Sequence, residues 1–325
     1  MKILITGGAG YIGSSIASIL LDNGHVPVIL DSLINGQREF VAGRIFYQGD
    51  ISNEELLKNI FTEHQDIEAV VHCAALISVP ESESNPELYY KENVTKSIEL
   101  FSNLRKLNCK KIIFSSSGSV YGKDSELLVN ENSTLNPGSA YAKTKMITEI
   151  VLHDYCQAFN MKGVALRYFN PIGADPKMRS GFYNKSSTMV IRALLEAANN
   201  NKEFIITGTN WPTRDGSGIR DYLHVWDLAR AHLLALEKFD SIFSDDQKFQ
   251  VINIGTGHGV TVKELVAAFE KVLGRPIKKS ESMARSGDVA GAYANRDLAK
   301  KILNWEPELS IEDAIKDALD WENKK

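Results

Sequence analysis

The chain has 325 residues, 43% hydrophobic and 24% charged, with a formal net charge of −4. That balance fits a globular protein of one large or two moderate domains. No run of Lys or Arg forms a stripe, which argues against nucleic acid or an anionic membrane as partner.

Met1 leads directly into an apolar strand, Lys2 to Thr6, rather than a signal peptide. Gly7-Gly8-Ala9-Gly10-Tyr11-Ile12-Gly13 follows, and then an amphipathic helix from Ile12 to Asn23. Glycines in a strand-turn-helix let the backbone approach a pyrophosphate at the helix N-terminus. The second strand, Val26 to Leu30, ends at Asp31. A carboxylate there can bind both hydroxyls of an adenine ribose and repels a 2′-phosphate, which favours NAD over NADP. The plain alternative is a Gly-rich turn in a bare Rossmann-like fold.

Further strands are expected at Arg44 to Gln48, Ala69 to His72, Lys111 to Ser115 and Gly163 to Tyr168. Helical patterns lie between them, at Glu54 to Glu63, Pro86 to Leu107 and Ala140 to Asn160. This alternation predicts an α/β fold with a doubly wound parallel sheet. Asp50-Ile51 would close the adenine side, and Cys73-Ala74-Ala75 would let the chain approach the cofactor; taken alone, each is more readily read as an ordinary strand end.

From position 171 to 187 the chain reads as a long loop, followed by a helix from Thr188 to Asn199. Asp221 to Lys238 is helical after its first residues, Phe249 to Ile254 is a last buried strand, and Thr261 to Leu273 and Ile311 to Glu322 are amphipathic helices. The expected division is an NAD-binding domain, 1–169 and 220–258, and a smaller discontinuous α+β substrate domain, 170–219 and 259–325. A cleft would lie between them. No segment nears the roughly 18 apolar residues of a membrane span. Cys73, Cys109 and Cys156 lack metal-ligand or disulfide spacing, so no metal is expected and the compartment is read as reducing and cytoplasmic.

The chemistry is concentrated in Tyr141-Ala142-Lys143-Thr144-Lys145, which follows a serine run at Ser115 to Ser117. Residues i and i+4 share a helix face. A free phenol titrates near ~10, and an ammonium one turn away would lower that value toward neutral pH. Such a pair can exchange a proton with an alcohol.

These residues resemble the extended short-chain dehydrogenases/reductases, and within them the UDP-glucose (UDP-galactose) 4-epimerases. The resemblance runs nearly end to end. It includes Leu30-Asp31-Ser32-Leu33-Ile34-Asn35, Tyr89-Tyr90-Lys91-Glu92-Asn93-Val94 and Phe114-Ser115-Ser116-Ser117-Gly118-Ser119-Val120-Tyr121-Gly122. Its most specific parts are Arg167-Tyr168-Phe169-Asn170-Pro171-Ile172-Gly173-Ala174 and Gly216-Ser217-Gly218-Ile219-Arg220-Asp221-Tyr222-Leu223-His224-Val225. It implies a tightly held NAD that is not consumed, a UDP-sugar substrate and a homodimer built on the helices around Pro86 to Leu107 and Ala140 to Asn160.

By the same resemblance Ser117, Tyr141 and Lys145 are catalytic. Gly7, Gly10, Tyr11, Ile12, Gly13, Asp31, Asn35, Asp50, Ile51, Cys73, Ala74, Ala75, Asn93, Ser115, Tyr141, Lys145 and Tyr168 face the cofactor. Ser117, Tyr141, Asn170, Arg220, Arg285, Asp288 and Ala292 face the substrate. His72 and His224 are read as structural, and Trp305 and Trp321 as core or interface aromatics.

The chain departs from the family pattern at four places. Ile77 stands where Lys is common, Ser186-Ser187-Thr188 replaces Asn-Asn-Leu, and Thr207 replaces an aromatic that stacks on uracil. Ala292 occupies the position that gates the sugar 2-substituent, and a small residue there leaves room for an N-acetyl group. A register slip of one would place Tyr293 there instead. Three competing readings stay open: a sister epimerase for uronic acid or pentose nucleotides, a 4,6-dehydratase, and a redox-sensing NAD module. Gly118 and Ser119 lack the acid and base that a dehydratase needs.

Overall fold

The computed structural model describes residues 1–122, 127–183, 189–244, 246–284 and 289–324. Its centre is a parallel sheet of seven strands: β1 (Lys2–Thr6), β2 (Val26–Asp31), β3 (Ile45–Gln48), β4 (Ile67–His72), β5 (Lys111–Ser115), β6 (Lys162–Tyr168) and β7 (Phe249–Ile254). Runs such as Ile3-Leu4-Ile5, Val28-Ile29-Leu30 and Ile112-Ile113-Phe114 are fully buried or nearly so, because helices cover both faces. One face packs on Tyr11–Asp22 and Val225–Glu237, the other on Glu54–Glu63, Lys96–Lys106 and Ala140–Phe159.

The sheet order is β7-β6-β5-β4-β1-β2-β3. The chain therefore winds outward from β1 to β3, then returns beside β1 and winds the other way. The reversal lies between β1 and β4, where the carboxyl ends of adjacent strands diverge and leave a crevice.

A second core lies beyond the sheet's carboxyl edge. It joins the helices Val190–Asn200, Val262–Leu273 and Ile311–Lys324 through Leu194, Leu195, Leu265, Phe269, Ile315 and Ala318. The region read as a loop after Pro171 begins instead with a strand, Asn170–Ile172, paired in parallel with Tyr222–His224. The expected helix from Pro86 to Leu107 is Pro86–Tyr89 and Lys96–Lys106 joined by a π-helical stretch, Tyr90–Thr95. A short sheet of Val260–Thr261, Ile219–Arg220, Gly291–Ala294 and Leu128–Val129 brings position 292 near the end of β5.

Candidate active site

The glycine turn fills the crevice between β1 and β4. Gly7 has φ +74°, and a Cβ on it would lie 2.6 Å from the Ala74 nitrogen. A Cβ on Gly13 would overlap the Gly7 carbonyl and the Gly8 Cα. The helix Tyr11–Asp22 begins at Gly10 with no side-chain cap, so its first amides face the turn unfilled. At the end of β2, Asp31 accepts from the Ala9 amide (3.0 Å) and the Leu33 amide (2.8 Å). Burial pushes its carboxyl up and those amides pull it down. Glycines that nothing larger can replace, a free helix N-terminus and a strand-end aspartate together fit a dinucleotide with an unmodified adenine ribose.

Other expected cofactor residues are partly engaged within the chain. The Tyr11 hydroxyl donates to the Gly173 carbonyl (2.7 Å), tying the cofactor helix to the Asn170–Ile172 strand's exit. Asp50 accepts from Lys96 (2.5 Å) and from Ser52. Ile51 is buried and Asn35 exposed. Asn93 accepts from the Leu76 amide (2.8 Å) and donates to the Leu76 carbonyl (3.0 Å) and Thr144 (3.1 Å). It thereby clamps the Cys73-Ala74-Ala75 segment to the helix that carries Lys145, as a support acting through the backbone would.

Beneath that segment the polar groups form a chain. Burial pushes His232 down to about 4, so its ring is neutral near pH 7. Its Nδ1–H donates to the Leu228 carbonyl (2.9 Å), which leaves Nε2 to accept the Ser115 hydroxyl (2.9 Å). Ser115 in turn contacts Cys73 Sγ (3.2 Å), whose thiol burial pushes up to about 11, and lies near the half-buried Tyr168, whose phenol it helps to lower against burial.

The helix Ala140–Phe159 starts at Ser139, whose hydroxyl accepts from the Ala142 amide. Its first turn presents Tyr141, half-buried, toward Ser117. Burial raises the Tyr141 phenol above its ordinary value, and the neighbouring Ser117 hydroxyl offsets part of that rise. Ser117 also accepts from the Ser119 amide at the start of a 3-10 turn, Gly118–Val120. Lys145 is 3% exposed, and its Nζ donates to the Ser115 carbonyl (2.8 Å) and lies 4.9 Å above the Phe114 ring. Burial pulls it down to about 8, against the pull of Cys73 and Glu149 in the other direction. The sequence expectation that Lys145 tunes Tyr141 is thus met differently here. The ammonium is drawn to a backbone carbonyl, and Ser117 is the group that favours the phenolate.

On the substrate side, Arg220 donates to the carbonyls of Ile219 (2.7 Å), Ala290 (3.0 Å) and Val289 (3.3 Å). Its fork therefore braces the segment that follows positions 285–288. Arg285, Asp288 and the Ser186-Ser187-Thr188 departure lie outside the described residues. Asn170 is half-buried on its strand, and Thr207 ends the strand Phe204–Thr207. Ile77 is 62% exposed.

Ala292 packs with Phe169 against Val120, Tyr121 and Val129, a cluster that adjoins Ser117 through the Gly118–Val120 turn. Side chains alternate along a strand. Tyr293 accordingly turns the other way, where a Cβ on Gly259 would come within 2.5 Å of its ring. Among the described residues no group of three or more His, Cys, Asp or Glu is placed to hold a metal ion.

Reading the sequence missed Glu149, Arg167, His232 and Asn253 as parts of this region. Glu149 was within reach, since it continues the Tyr141, Lys145 spacing by one more turn.

Residues 3–255 match the NAD dependent epimerase/dehydratase family. A UDP-glucose 4-epimerase of Halalkalibacterium halodurans is 38% identical, over 99% of this chain and 95% of its own. The structure of a UDP-glucose 4-epimerase from Stenotrophomonas maltophila, with bound NAD and formylated UDP-arabinopyranose, superposes with TM-score 0.94 at 33% identity, over 100% of this chain and 98% of that one. A UDP-Glc/GlcNAc 4-epimerase from Campylobacter jejuni gives TM-score 0.85 at 34% identity, over 100% and 99%. The chain belongs to the NAD dependent epimerase/dehydratase family and, within it, to the UDP-glucose 4-epimerases of the extended short-chain dehydrogenase/reductase superfamily.

Proposed function

We propose that the chain is an isomerase that interconverts UDP-sugars at C4, with UDP-glucose and UDP-galactose as one pair and their N-acetylated counterparts as a second. The observation that carries this reading is the Tyr141–Ser117 pair, with Lys145 one helical turn on at the carboxyl end of β5, near the Cys73-Ala74 segment that the glycine turn abuts. When bound, NAD supplies a reversible hydride acceptor, so that C4 alternates between alcohol and ketone with no net oxidation. Gly7, Gly10, Gly13 and Asp31 would hold it.

The protein's own part is proton handling and restraint. Tyr141 takes the proton of the 4-hydroxyl and returns it, with Ser117 hydrogen-bonded to both the phenol and the sugar oxygen. Burial keeps the phenol protonated at rest, and the Ser117 hydroxyl eases its ionisation. Lys145 holds the cofactor ribose side and fixes the Ser115 carbonyl. Asn170, Arg285 and Asp288 grip the diphosphate and uridine, since a planar guanidinium fork suits phosphate oxygens, and Arg220 joins them with the N–H groups that its bonds to the 219, 289 and 290 carbonyls leave over. Firm remote binding leaves the sugar free to turn and present its other face.

Ala292 supports the N-acetyl pair. It presents only a methyl group to the cluster with Phe169 next to Ser117, while Tyr293 lies toward Gly259. A dehydratase is disfavoured at Gly118, where a Cβ would lie 2.7 Å from the Phe169 ring and leave no space for an acid or base.

In this reading residues 1–169 and 220–258 bind NAD, and 170–219 with 259–325 bind the substrate. A homodimer is supported by exposed apolar groups on two neighbouring helices, Ile98 on one and Ile150 and Phe159 on the other. Three free cysteines suit a cytoplasmic setting. The test is to denature the purified protein, identify the released nucleotide, and assay both UDP-sugar pairs without added cofactor. Released NAD and turnover of the hexose pair are expected; absence of any 4-epimer would overturn the function. Turnover of hexoses alone would overturn the N-acetyl part.

A further inference from the structure

The catalytic helix carries a third polar residue on the face of Tyr141 and Lys145. Glu149 is 4% exposed, and both of its oxygens are engaged. Oε1 accepts the Ser116 hydroxyl and Arg167 Nε (3.0 Å), and Oε2 accepts Arg167 Nη2 (2.6 Å). Arg167, also 4% exposed, donates onward to the Tyr121 hydroxyl (3.0 Å). Tyr121 donates to Asn253 Oδ1 (2.7 Å), and Asn253 Nδ2 reaches the Val129 carbonyl (3.3 Å).

The chain of bonds thus starts at the serine next to Ser117 and ends at the strand Leu128–Val129, which pairs with the strand bearing Ala292. A buried ion pair is a weak source of stability, because desolvating two charges offsets most of their attraction. Its well-attested use is to fix one geometry among several.

We propose that Glu149 and Arg167 are positioning residues that hold the Ser116-Ser117 turn in register with Tyr141; this rests on the 4-epimerase reading above.

The test compares Ser116→Ala, Glu149→Gln and the double variant Glu149→Gln/Arg167→Gln with wild type, as enzyme carrying its own NAD. Ser116→Ala leaves the ion pair intact and loosens only the turn. It is expected to lower kcat by about 10-fold or more, with KM within about threefold, because small misplacements of reacting groups are that costly. Glu149→Gln should lower kcat similarly, again with KM within about threefold. The double variant should recover thermal stability without recovering kcat. If Ser116→Ala keeps wild-type kcat, or if the double variant regains kcat along with stability, the positioning role is overturned. Loss of 4-epimerase activity in the wild-type control would instead sink the reading beneath it.

Discussion

Lys145→Met should separate stability from activity. The wild-type chain buries an ammonium whose pKa falls from 10.5 to about 8 on folding, chiefly through desolvation. That gap corresponds to ~3 kcal/mol of destabilisation at pH 7. Loss of the bond to the Ser115 carbonyl offsets about 1.5–3 kcal/mol of the gain from removing the charge. The variant should therefore be neutral to about 2 kcal/mol more stable at pH 7, yet lose 4-epimerase activity by ~100-fold or more. The sign with pH is fixed. Between about 8 and 10.5 the unfolded chain holds the extra proton, so wild-type stability rises as pH climbs through that window. By pH 9.5 about 2 kcal/mol of the penalty is relieved, and the gap between variant and wild type narrows by that amount. Urea unfolding of both proteins, stripped of nucleotide, at pH 7 and pH 9.5 measures it. A gap that does not change with pH would refute the assignment of a buried, charged lysine.

Three further outcomes follow from particular contacts. Ala292→Tyr should abolish turnover of the N-acetylated pair while leaving hexose kcat/KM within about tenfold, since the ring fills space beside Phe169; unchanged N-acetyl turnover would contradict the gate. Gly13→Ala should lose bound NAD on purification, because its Cβ meets backbone that can only shift at a cost of ~1–3 kcal/mol; a full complement of NAD in the variant would contradict the crevice. Tyr141→Phe should lower kcat by about 10²- to 10⁴-fold with substrate affinity retained, as judged by steady-state kinetics and UDP-sugar binding.

Much of the architecture was legible because buried parallel strands need continuous apolar runs, and β1, β5 and β7 sit within the ranges their runs suggested. The glycine turn and Asp31 were legible for a related reason, since close backbone approach and a strand-end carboxylate leave little choice of residue. The strand Asn170–Ile172 was not, because three residues with a proline carry no periodicity and its partner lies some fifty positions on. The π-helical stretch at Tyr90–Thr95 contains Asn93, which grips both polar groups of Leu76, a tertiary contact with no local signal. Motif position could suggest that Arg220 meets phosphate, but not that its fork braces the Val289 and Ala290 carbonyls. The influence of Lys145 on Tyr141 was inferred from spacing alone. Helix geometry places both on one face, yet rotamer and burial decide which neighbour the ammonium meets.

The most direct test of the account is the fate of the hydrogen on C4. UDP-glucose deuterated at C4 should be equilibrated with the enzyme in ordinary water, without added cofactor, and the UDP-galactose analysed by mass spectrometry and NMR. Retention of the label at C4 of the inverted product is predicted. Washout of deuterium into solvent would contradict the account.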